Sequence, residues 1–393
     1  MRIDIIPLIA LMPLLLSCNQ ELKTTQDDRQ EAQNIVFSLS QPVGDVLTKT
    51  SYDAGNNRFL WADGDAVGIV SPEGGQLKFT IKPEYYGEVD AVFDGRGFAL
   101  KSGNKYASYY PFLPDFDLDP TALPISYIGQ VQTGENSMAH LGASNFSVAQ
   151  GTSPNAGNLY FTFLNVGSPH RYLLPVLAGT FTQLTVQIPS QSYTVKGTLN
   201  LMADNETDLR AITPTEMTDK LTLELRNTTM ASTGNLRCWM IVAPVNLEGS
   251  AITMVLQAED GQEYVASVAG ANCPANYRKV FNAKSSVFPR ISEISAQGGT
   301  VQIKVIKAAN DVEVTPSIGA GWITAAGSST DGLVTTYTYT VAENEASAAR
   351  EGTISFTETS TSLTNTVSIQ QGKAGTIIGI GSWDNDNHSG NAQ

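Results

Sequence analysis

The stretch LKFTIK at residues 77–82 alternates apolar and polar side chains without a break. Leu77, Phe79 and Ile81 occupy every second position, and lysine or threonine lies between and after them. Neighbouring side chains of an extended chain point to opposite faces, so one face enters a core and the other meets water. The two-residue period therefore predicts a half-buried β-strand here.

The same alternation recurs far along the chain, at residues 159–163, 184–188 and 221–225. The turn signal Asp260-Gly261 separates two further apolar runs, as in a β-hairpin. No apolar residues recur at helical spacing for three turns. The pattern predicts an all-β protein built from β-sandwiches.

The composition is that of an acidic chain with few charged side chains. It has 393 residues, 16% of them charged, and a formal net charge of −14. This length leaves room for two or three domains. An acidic balance argues against nucleic acid as a partner, because phosphate binding needs clustered lysine and arginine.

The N-terminus has the order of a signal peptide: Arg2, then an apolar run at 5–16, then Ser17 and Cys18. The run is too short to span a bilayer, which needs about 20 apolar residues. LLSC at 15–18 resembles the bacterial lipobox, which implies cleavage between Ser17 and Cys18 and lipidation of Cys18. We expect a signal peptide at 1–17 and a polar, flexible tether at 18–33. An ordinary secretory signal with an incidental cysteine is the alternative.

Two cysteines remain beyond Cys18. Cys238 and Cys273 would stabilise the fold by ~3–4 kcal/mol if they formed a disulfide. The alternative, which we favour, is that Cys238 in the run RCWMIV is a small buried apolar residue.

Enzymatic motifs do not occur in the sequence. The chain has no His-Glu-x-x-His, no Gly-x-Ser-x-Gly elbow and no phosphate-binding glycine loop. The three histidines without a ligand-spaced partner are His140, His170 and His388. We expect no enzyme, no cofactor and no metal site.

One run has the opening spacing of a calcium loop. Asp115, Asp117 and Asp119 are spaced as in such a loop, but Pro120 and Ser126 stand where it needs glycine and a bidentate acid. We reject it as a calcium loop of that kind.

Several stretches carry a resemblance: TKTSY at 48–52, FLWADGD at 59–65, YASYYPF at 106–112 and NYRKVFNA at 276–283. In this order they resemble the fimbrillin-like family of surface lipoproteins and pilus subunits. The resemblance implies two tandem transthyretin-like β-sandwich domains, which we place at 34–150 and 151–284.

A second set of stretches follows: GWI at 321–323, REGTISF at 350–356 and VSIQQG at 367–372. Their order resembles a BACON module, which implies an immunoglobulin-like β-sandwich at 290–373. The family name implies carbohydrate binding, and Trp322 is the candidate for stacking on a sugar ring. The alternative, that Trp322 fills the core, is favoured.

The tail at 374–393 contains the apolar stretch TIIGIGSW at 376–383. By resemblance, fimbrillin-type pilins polymerise when such a strand fills a groove in the next subunit, opened by cleavage after arginine or lysine. Arg58 is the candidate cleavage site and Lys49 a weaker one. The alternative is that 376–383 folds onto its own module and that Arg58 is a solvated turn residue.

Together these features predict an outer-membrane surface lipoprotein that serves adhesion or is a tip, accessory or anchor subunit of a pilus. Its expected partners are the membrane through the lipid, other pilus subunits, and glycans or a host surface. The alternative function is a surface lipoprotein that binds glycans through the BACON-like module without pilus assembly.

Overall fold

The computed structural model of the protein describes residues 34–39, 51–53, 58–71, 75–95, 100–116, 119–154, 158–188 and 192–375. Ser17, Cys18, Lys49 and the stretch at 376–383 lie outside these ranges, so the predictions made for them stay predictions. Across the described residues the regular secondary structure is nearly all β-strand, which confirms the predicted all-β class.

The first third of the chain has short strands, one 3-10 turn and one short α-helix. A 3-10 turn covers Pro83–Tyr85 and the helix α1 covers Leu141–Ser144. The strands are β1 (Asn34–Leu39), β2 (Ser51–Asp53), β3 (Arg58–Leu60), β4 (Ala66–Val70), β5 (Gln76–Ile81), β6 (Asp90–Asp94), β7 (Lys105–Tyr110), β8 (Leu123–Ser126), β9 (Val131–Thr133), β10 (Ser147–Thr152) and β11 (Asn158–Asn165).

The middle region, β12 to β22, has longer strands and one short helix, α2 (Glu206–Leu209). The strands are β12 (Ser168–Val176), β13 (Gly179–Gln187), β14 (Tyr193–Leu199), β15 (Ile212–Thr218), β16 (Lys220–Met230), β17 (Gly234–Val242), β18 (Val245–Asn246), β19 (Ala251–Ala258), β20 (Glu263–Ala269), β21 (Asn272–Cys273) and β22 (Lys279–Asn282).

The last part of the described chain contains strands alone. They are β23 (Ser285–Phe288), β24 (Ile291–Ile294), β25 (Gly299–Lys307), β26 (Val314–Ile318), β27 (Ile323–Asp331), β28 (Val334–Val341), β29 (Arg350–Glu358) and β30 (Thr364–Gln371). We call β24 to β30 the C-terminal sandwich. Two of its sheets face each other, β24-β30-β29-β26 and β25-β28-β27.

Seven strands close into a ring in the order β1-β11-β10-β7-β4-β5-β6, which we call the N-terminal barrel. The predicted strand at 77–82 is β5, and Phe79 and Ile81 face the core as its alternation requires. The ring closes because β1 pairs on both sides, parallel to β11 and antiparallel to β6. Closure removes the free edges that an open sheet would expose.

A nine-stranded sheet runs through the middle region into the C-terminal sandwich, in the order β27-β28-β25-β23-β20-β19-β13-β16-β9. Strand β23 is the joint, because Val287 pairs with Val265 of β20 while residues 285–288 pair with β25. The sheet therefore continues across the predicted linker between residues 284 and 290.

The predicted division between residues 150 and 151 falls within β10. The hairpin of β10 and β11 belongs to the barrel, so the barrel extends to Asn165. Conversely, β8 and β9 precede residue 150 but pair with strands of the middle region, β8 with β14 and β9 with β16. The two regions therefore interleave along the sequence, because these strands pair over long sequence separations.

Candidate functional site

The strand β1 lies between β11 and β6 in the barrel wall, and its inward side chains are fully buried. Ile35 and Phe37 have 0% exposure. Phe37 meets the ring of Phe93 edge-on at 4.8 Å and stacks on Phe161 and Phe163 at centroid distances of 5.2 and 5.7 Å. Two such anchors contribute roughly 3–6 kcal/mol of burial, at ~1.5–3 kcal/mol each. The site is thus a strand-shaped groove that β1 fills.

The groove floor continues to Trp61, which is fully buried and lies edge-on to Phe93 at 4.8 Å. The backbone of Trp61 is fixed at both ends, since its N–H donates to Glu88 O at 2.9 Å and its carbonyl accepts from Gly87 N at 2.8 Å. The chain after residue 60 is therefore held by the barrel independently of β1.

Arg58, the candidate cleavage site, is the first residue of β3, opposite Asp53 of β2. Among the described strands, β2 and β3 pair only with each other and not with the barrel. Because the main chain at Arg58 is not part of the barrel wall, its cleavage would not break a barrel strand. The sequence analysis expected a connection here, and the structure instead places residue 58 in a short two-stranded hairpin; cleavage at this residue stays a prediction.

Next to the groove, the barrel holds a buried carboxylate. Asp65 is 5% exposed, accepts a hydrogen bond from the Tyr110 hydroxyl at 2.9 Å and caps the Ala62 N–H at 2.9 Å. Burial, followed by the Asp65 charge, raises the pKa of Tyr110 well above its usual value, so that the phenol stays a donor. The pair holds the turn after Trp61 against β7. The motif FLWADGD contained the aspartate, but only the fold shows its partner.

Trp322, the candidate sugar contact, is half-buried and packs against the core of the C-terminal sandwich. The guanidinium of Arg350 lies over its ring at 4.4 Å from the centroid. Its ring edge fits against Gly352, where an added Cβ would come within 2.7 Å of Cζ2. One face of the indole is therefore already covered by a cation, and the role of Trp322 as a sugar contact or a core residue stays a prediction.

The two cysteines are both unpaired and fully buried. Burial raises the pKa of the Cys273 thiol to about 12 and that of Cys238 further, so both thiols stay protonated and unreactive. They pack in one apolar core with Tyr172 and Phe281. The interpretation of Cys238 as a small apolar core residue agrees with this environment.

Two histidines lie inside the fold. His170 has 0% exposure and its Nδ1 lies 2.9 Å from the Tyr172 hydroxyl, while burial lowers its pKa to about 3. His140 Nε2 lies 2.9 Å from Trp239 O, and burial again lowers the pKa. Both are neutral structural groups at neutral pH.

In the run rejected as a calcium loop, the described residues 119–121 form a local turn. The Asp119 carboxylate accepts from Thr121 N at 2.8 Å and Oγ1 at 2.6 Å, and these bonds lower its pKa. In the part of the chain that the structure describes, no three His, Cys, Asp or Glu side chains group as metal ligands. No helix within the same residues is long and apolar enough to cross a membrane.

No protein-family model matches the chain, and no curated protein matches it either. Crystal structures of candidate cell adhesion proteins from Bacteroides resemble it weakly. The protein from Bacteroides ovatus is 15% identical, and the match covers 63% of this chain and 90% of that one, with a TM-score of 0.40. The one from Bacteroides fragilis is 10% identical over 63% of this chain and 92% of its own, with a TM-score of 0.34. The one from Bacteroides eggerthii is 9% identical over 65% and 84%, with a TM-score of 0.31. At these TM-scores the similarity carries no argument about fold or function.

Proposed function

We propose that this chain is a lipid-anchored protein of the bacterial outer surface that serves adhesion, as a standing adhesin or as a tip, accessory or anchor subunit of a pilus. In this proposal Cys18 carries the lipid, and β1 is the strand that a strand of another subunit can replace. The proposal joins the lipobox and the fimbrillin-like motifs with the construction of the barrel.

The observation that carries the proposal is the way β1 is held. It is a single six-residue strand at the N-terminal end of the barrel, paired with β11 through residues 34–39 and with β6 through residues 36–38. Its removal would leave β6 and β11 as free edges above the apolar floor of Phe93, Phe161 and Phe163. An incoming strand restores such a wall through main-chain hydrogen bonds and alternate side-chain pockets.

Cleavage after Arg58 suits this exchange. The cut separates β1 and β2 from the rest, while the retained chain begins at Phe59 and is anchored two residues later through Trp61. After the cut, β1 is held by non-covalent contacts alone, and a competing strand can displace it.

The strand-exchange part is tested by cleaving the purified full chain with an arginine-specific protease. We expect a product that begins at Phe59, that binds a synthetic NIVFSL peptide, and that forms higher oligomers on native mass analysis. Arg58→Ala is the matched control and should stay uncut at this bond and monomeric. A product cut at Arg58 that neither binds the peptide nor assembles would overturn the exchange.

The anchor is tested in the native membranes by intact-mass analysis of the N-terminus. A diacylated or triacylated Cys18, absent in a Cys18→Ser variant, is the expected result. An unmodified mature N-terminus near Cys18 would overturn the lipid anchor and leave an ordinary secretory signal.

The glycan-binding alternative depends on Trp322 as a stacking platform. Since Arg350 covers one face of this ring, only the remaining surface of the indole is open to a sugar. Glycan arrays decide between the two functions: saturable binding by the wild type that is lost in a folded Trp322→Ala variant would replace our proposal with the alternative.

A further inference from the structure

A hollow of about 470 Å³ lies where the middle region meets the joint strand β23. Its lining includes residues 177–181, which lead from β12 into β13, and residues 258–260, which lead from β19 towards β20. Tyr264 of β20 and Phe288 of β23 complete the lining. We call it the junction hollow, because it combines two turns of the middle region with the strand that continues into the C-terminal sandwich.

Two stacked rings form the aromatic part of the junction hollow. The ring centroids of Tyr264 and Phe288 are 4.3 Å apart, and their planes differ by 27°. Tyr264 is 3% exposed, whereas Phe288 is half-buried, so part of the Phe288 ring remains open to the hollow. The face of such a ring carries partial negative charge and attracts cations.

Two exposed carboxylates, those of Glu259 and Asp260, also line the junction hollow. The Asp260 carboxylate accepts a hydrogen bond from Gln262 N at 3.0 Å, which holds it in the turn. Burial first, and the charge of Asp260 after it, raise the pKa of Tyr264 to about 12, against the opposing effect of a backbone hydrogen bond with Leu177. The negative charge of the turn therefore acts on the aromatic part of the hollow.

Two cations close to Phe288 in the fold leave this negative charge uncompensated. Arg290 follows Phe288 by two residues, but its Nε donates to Glu263 Oε2 at 2.6 Å. Lys304 is the residue opposite Phe288 on β25, and it forms no ion pair with either carboxylate of the hollow in the part of the chain that the structure describes. The junction hollow thus joins an aromatic surface to unneutralised negative charge.

The hollow of about 410 Å³ in the C-terminal sandwich shows the contrast. It is lined by Glu293 and Glu351, but Arg350 lines it as well. Ser368 Oγ donates to Glu351 Oε1 at 2.6 Å, and the Arg350 guanidinium lies over the ring of Trp322. The chain itself thus provides the cation for that hollow and for the nearby ring. No described residue provides one for the junction hollow.

We propose that the junction hollow binds an arginine side chain presented by a partner protein. The guanidinium stacks on the open part of the Phe288 ring and donates hydrogen bonds to Glu259 and Asp260. Arginine suits the site better than lysine, because its planar group can lie on a ring while its edge bonds a carboxylate. Residues 178–179 and 259–260 are exposed, so a loop of another protein can reach the hollow without displacing a strand. The formal net charge of −14 favours the approach of such a basic segment.

This inference goes beyond the proposed function and does not depend on it, because no described residue of the N-terminal barrel lines the junction hollow. A failure of arginine binding would leave the exchange of β1 untouched. A failure of the exchange would leave the hollow in place. The test below therefore uses the uncleaved chain, in which β1 stays in the barrel.

The test is a titration of the purified full chain, followed by NMR of alanine and leucine methyl groups. Leu177, Ala178 and Ala258 line the junction hollow and serve as reporters. The probe is arginine capped as its N-acetyl methylamide, and the control is the capped citrulline analogue, which has nearly the same shape and no charge. We expect saturable shifts with arginine and an affinity for citrulline that is lower by roughly tenfold or more. No shift with arginine, or equal affinity for both probes, would overturn the proposal.

Two further probes test the chemistry and the source of the cation. Capped lysine should bind several-fold more weakly than capped arginine, because an ammonium group cannot stack and bond a carboxylate edge-on at once. Equal affinity would overturn the assignment of a guanidinium. Free arginine should bind no tighter than the capped form, because its added α-ammonium and α-carboxylate cancel in net charge. Tighter binding of free arginine would overturn the partner protein in favour of a small amino acid ligand.

Point variants localise the binding. Glu259→Gln and Asp260→Asn should each weaken arginine binding by roughly threefold, while the asparagine oxygen can still accept from Gln262 N. Phe288→Leu keeps an apolar side chain without the ring and should also weaken binding. Glu248→Gln removes an exposed charge at the opposite end of β19, so it is the matched control and should change nothing. Unchanged arginine binding in the two carboxylate variants, or in Phe288→Leu, would refute the site.

A dilution series followed by native mass analysis examines a second copy of the chain as the occupant. The uncleaved chain should stay monomeric across the micromolar range. A concentration-dependent dimer that is lost in the double variant Glu259→Gln, Asp260→Asn would overturn the proposal, since the arginine would then come from another copy of this chain.

Discussion

The N-terminal barrel and the C-terminal sandwich differ in their strand edges: the barrel has none, and the sandwich has unpaired ones. In the barrel the short strand β1 is paired on both sides, so the ring has no edge. In the sandwich β26 and β27 leave two edges open beside an apolar groove. The comparison shows that one short N-terminal strand closes the barrel, whereas the described strands of the C-terminal sandwich leave edges unpaired.

The two cores also differ in chemistry. The barrel interior is aromatic, and ring contacts of Phe37 or Trp61 link these two residues to Phe93, Phe161 and Phe163. The sandwich core consists mainly of valine and isoleucine, with two fully buried rings, those of Tyr339 and Phe356. Large rings concentrate much burial in few positions, so the barrel should be more sensitive to single substitutions than the sandwich.

The largest expected effect is at the closing strand. Phe37→Ala should lower the free energy of unfolding of the barrel by about 3–5 kcal/mol, because it removes a fully buried ring from three aromatic contacts. Denaturant unfolding followed by Trp61 fluorescence measures it. Ser38→Ala on the same strand is the control, with an expected change below about 0.5 kcal/mol. A loss below about 1 kcal/mol at Phe37 would mean that β1 does not hold the barrel closed.

Acid should destabilise the middle region more than the barrel, because the middle region buries His170 in its neutral form. Its pKa is about 3 in the folded state, against the ordinary value of 6.5 that it regains on unfolding, so the unfolded chain binds the proton first. Stability of the middle region should therefore fall as the pH drops from about 6.5 towards 3, by about 1.4 kcal/mol per pH unit.

The measurement is denaturant unfolding of the wild type and His170→Phe at several pH values. The difference in the free energy of unfolding between the two proteins should be constant above pH 7.5. Below pH 6 the wild type should lose more stability than the variant. The described barrel strands contain no histidine, so the barrel transition should not follow this difference. A parallel pH dependence in both proteins would contradict the buried neutral histidine.

A smaller effect is expected at the joint between the middle region and the sandwich. Ser285 Oγ donates to Glu358 Oε1 at 2.7 Å, and both residues are at most 1% exposed. Ser285→Ala should lower stability by about 1–3 kcal/mol, because it leaves part of a buried carboxylate unbonded. Unfolding followed by calorimetry should then show the sandwich melting separately. Thr357→Ala, which removes a surface hydroxyl contact with Thr364, is the matched control.

The smallest effect is expected at Trp322. Trp322→Leu removes the ring beneath the Arg350 guanidinium and should lower stability by about 1 kcal/mol. Chemical denaturation of the variant measures the change, and Arg350→Gln should give a similar loss if the contact itself is responsible. A loss in neither variant would show that the stacking contributes nothing to the sandwich.

Much of the strand content could be predicted from alternation, and less of the arrangement. The runs at 159–163 and 221–225 lie within strands, and those at 77–82 and 184–188 do so up to their last residue. The predicted hairpin around Asp260-Gly261 is the pair β19 and β20. These predictions hold because period-two burial is a local property of the residues. The roles predicted for Cys18, Arg58 and Trp322 came from resemblance, and they stay predictions.

The candidate groove was not visible in the sequence, because its parts come from distant segments. Phe37, Phe93, Phe161 and Trp61 share no local motif, and only the pairing of β1 with β6 and β11 brings them together. The continuous sheet through β23 is equally non-local, as it rests on one paired position with β20 and four with β25.

By itself the sequence determined that this chain folds as strands with one face buried, since side-chain alternation is set residue by residue. It also determined the acidic charge and the order of its motifs. Only the tertiary structure decided which strands are neighbours, that seven of them close into a barrel, and that the C-terminal sandwich keeps unpaired edges, at β26 and β27 among others, within the described strands. The physical reason is that main-chain hydrogen bonding is the same for every strand, so partners are chosen by how distant side chains pack.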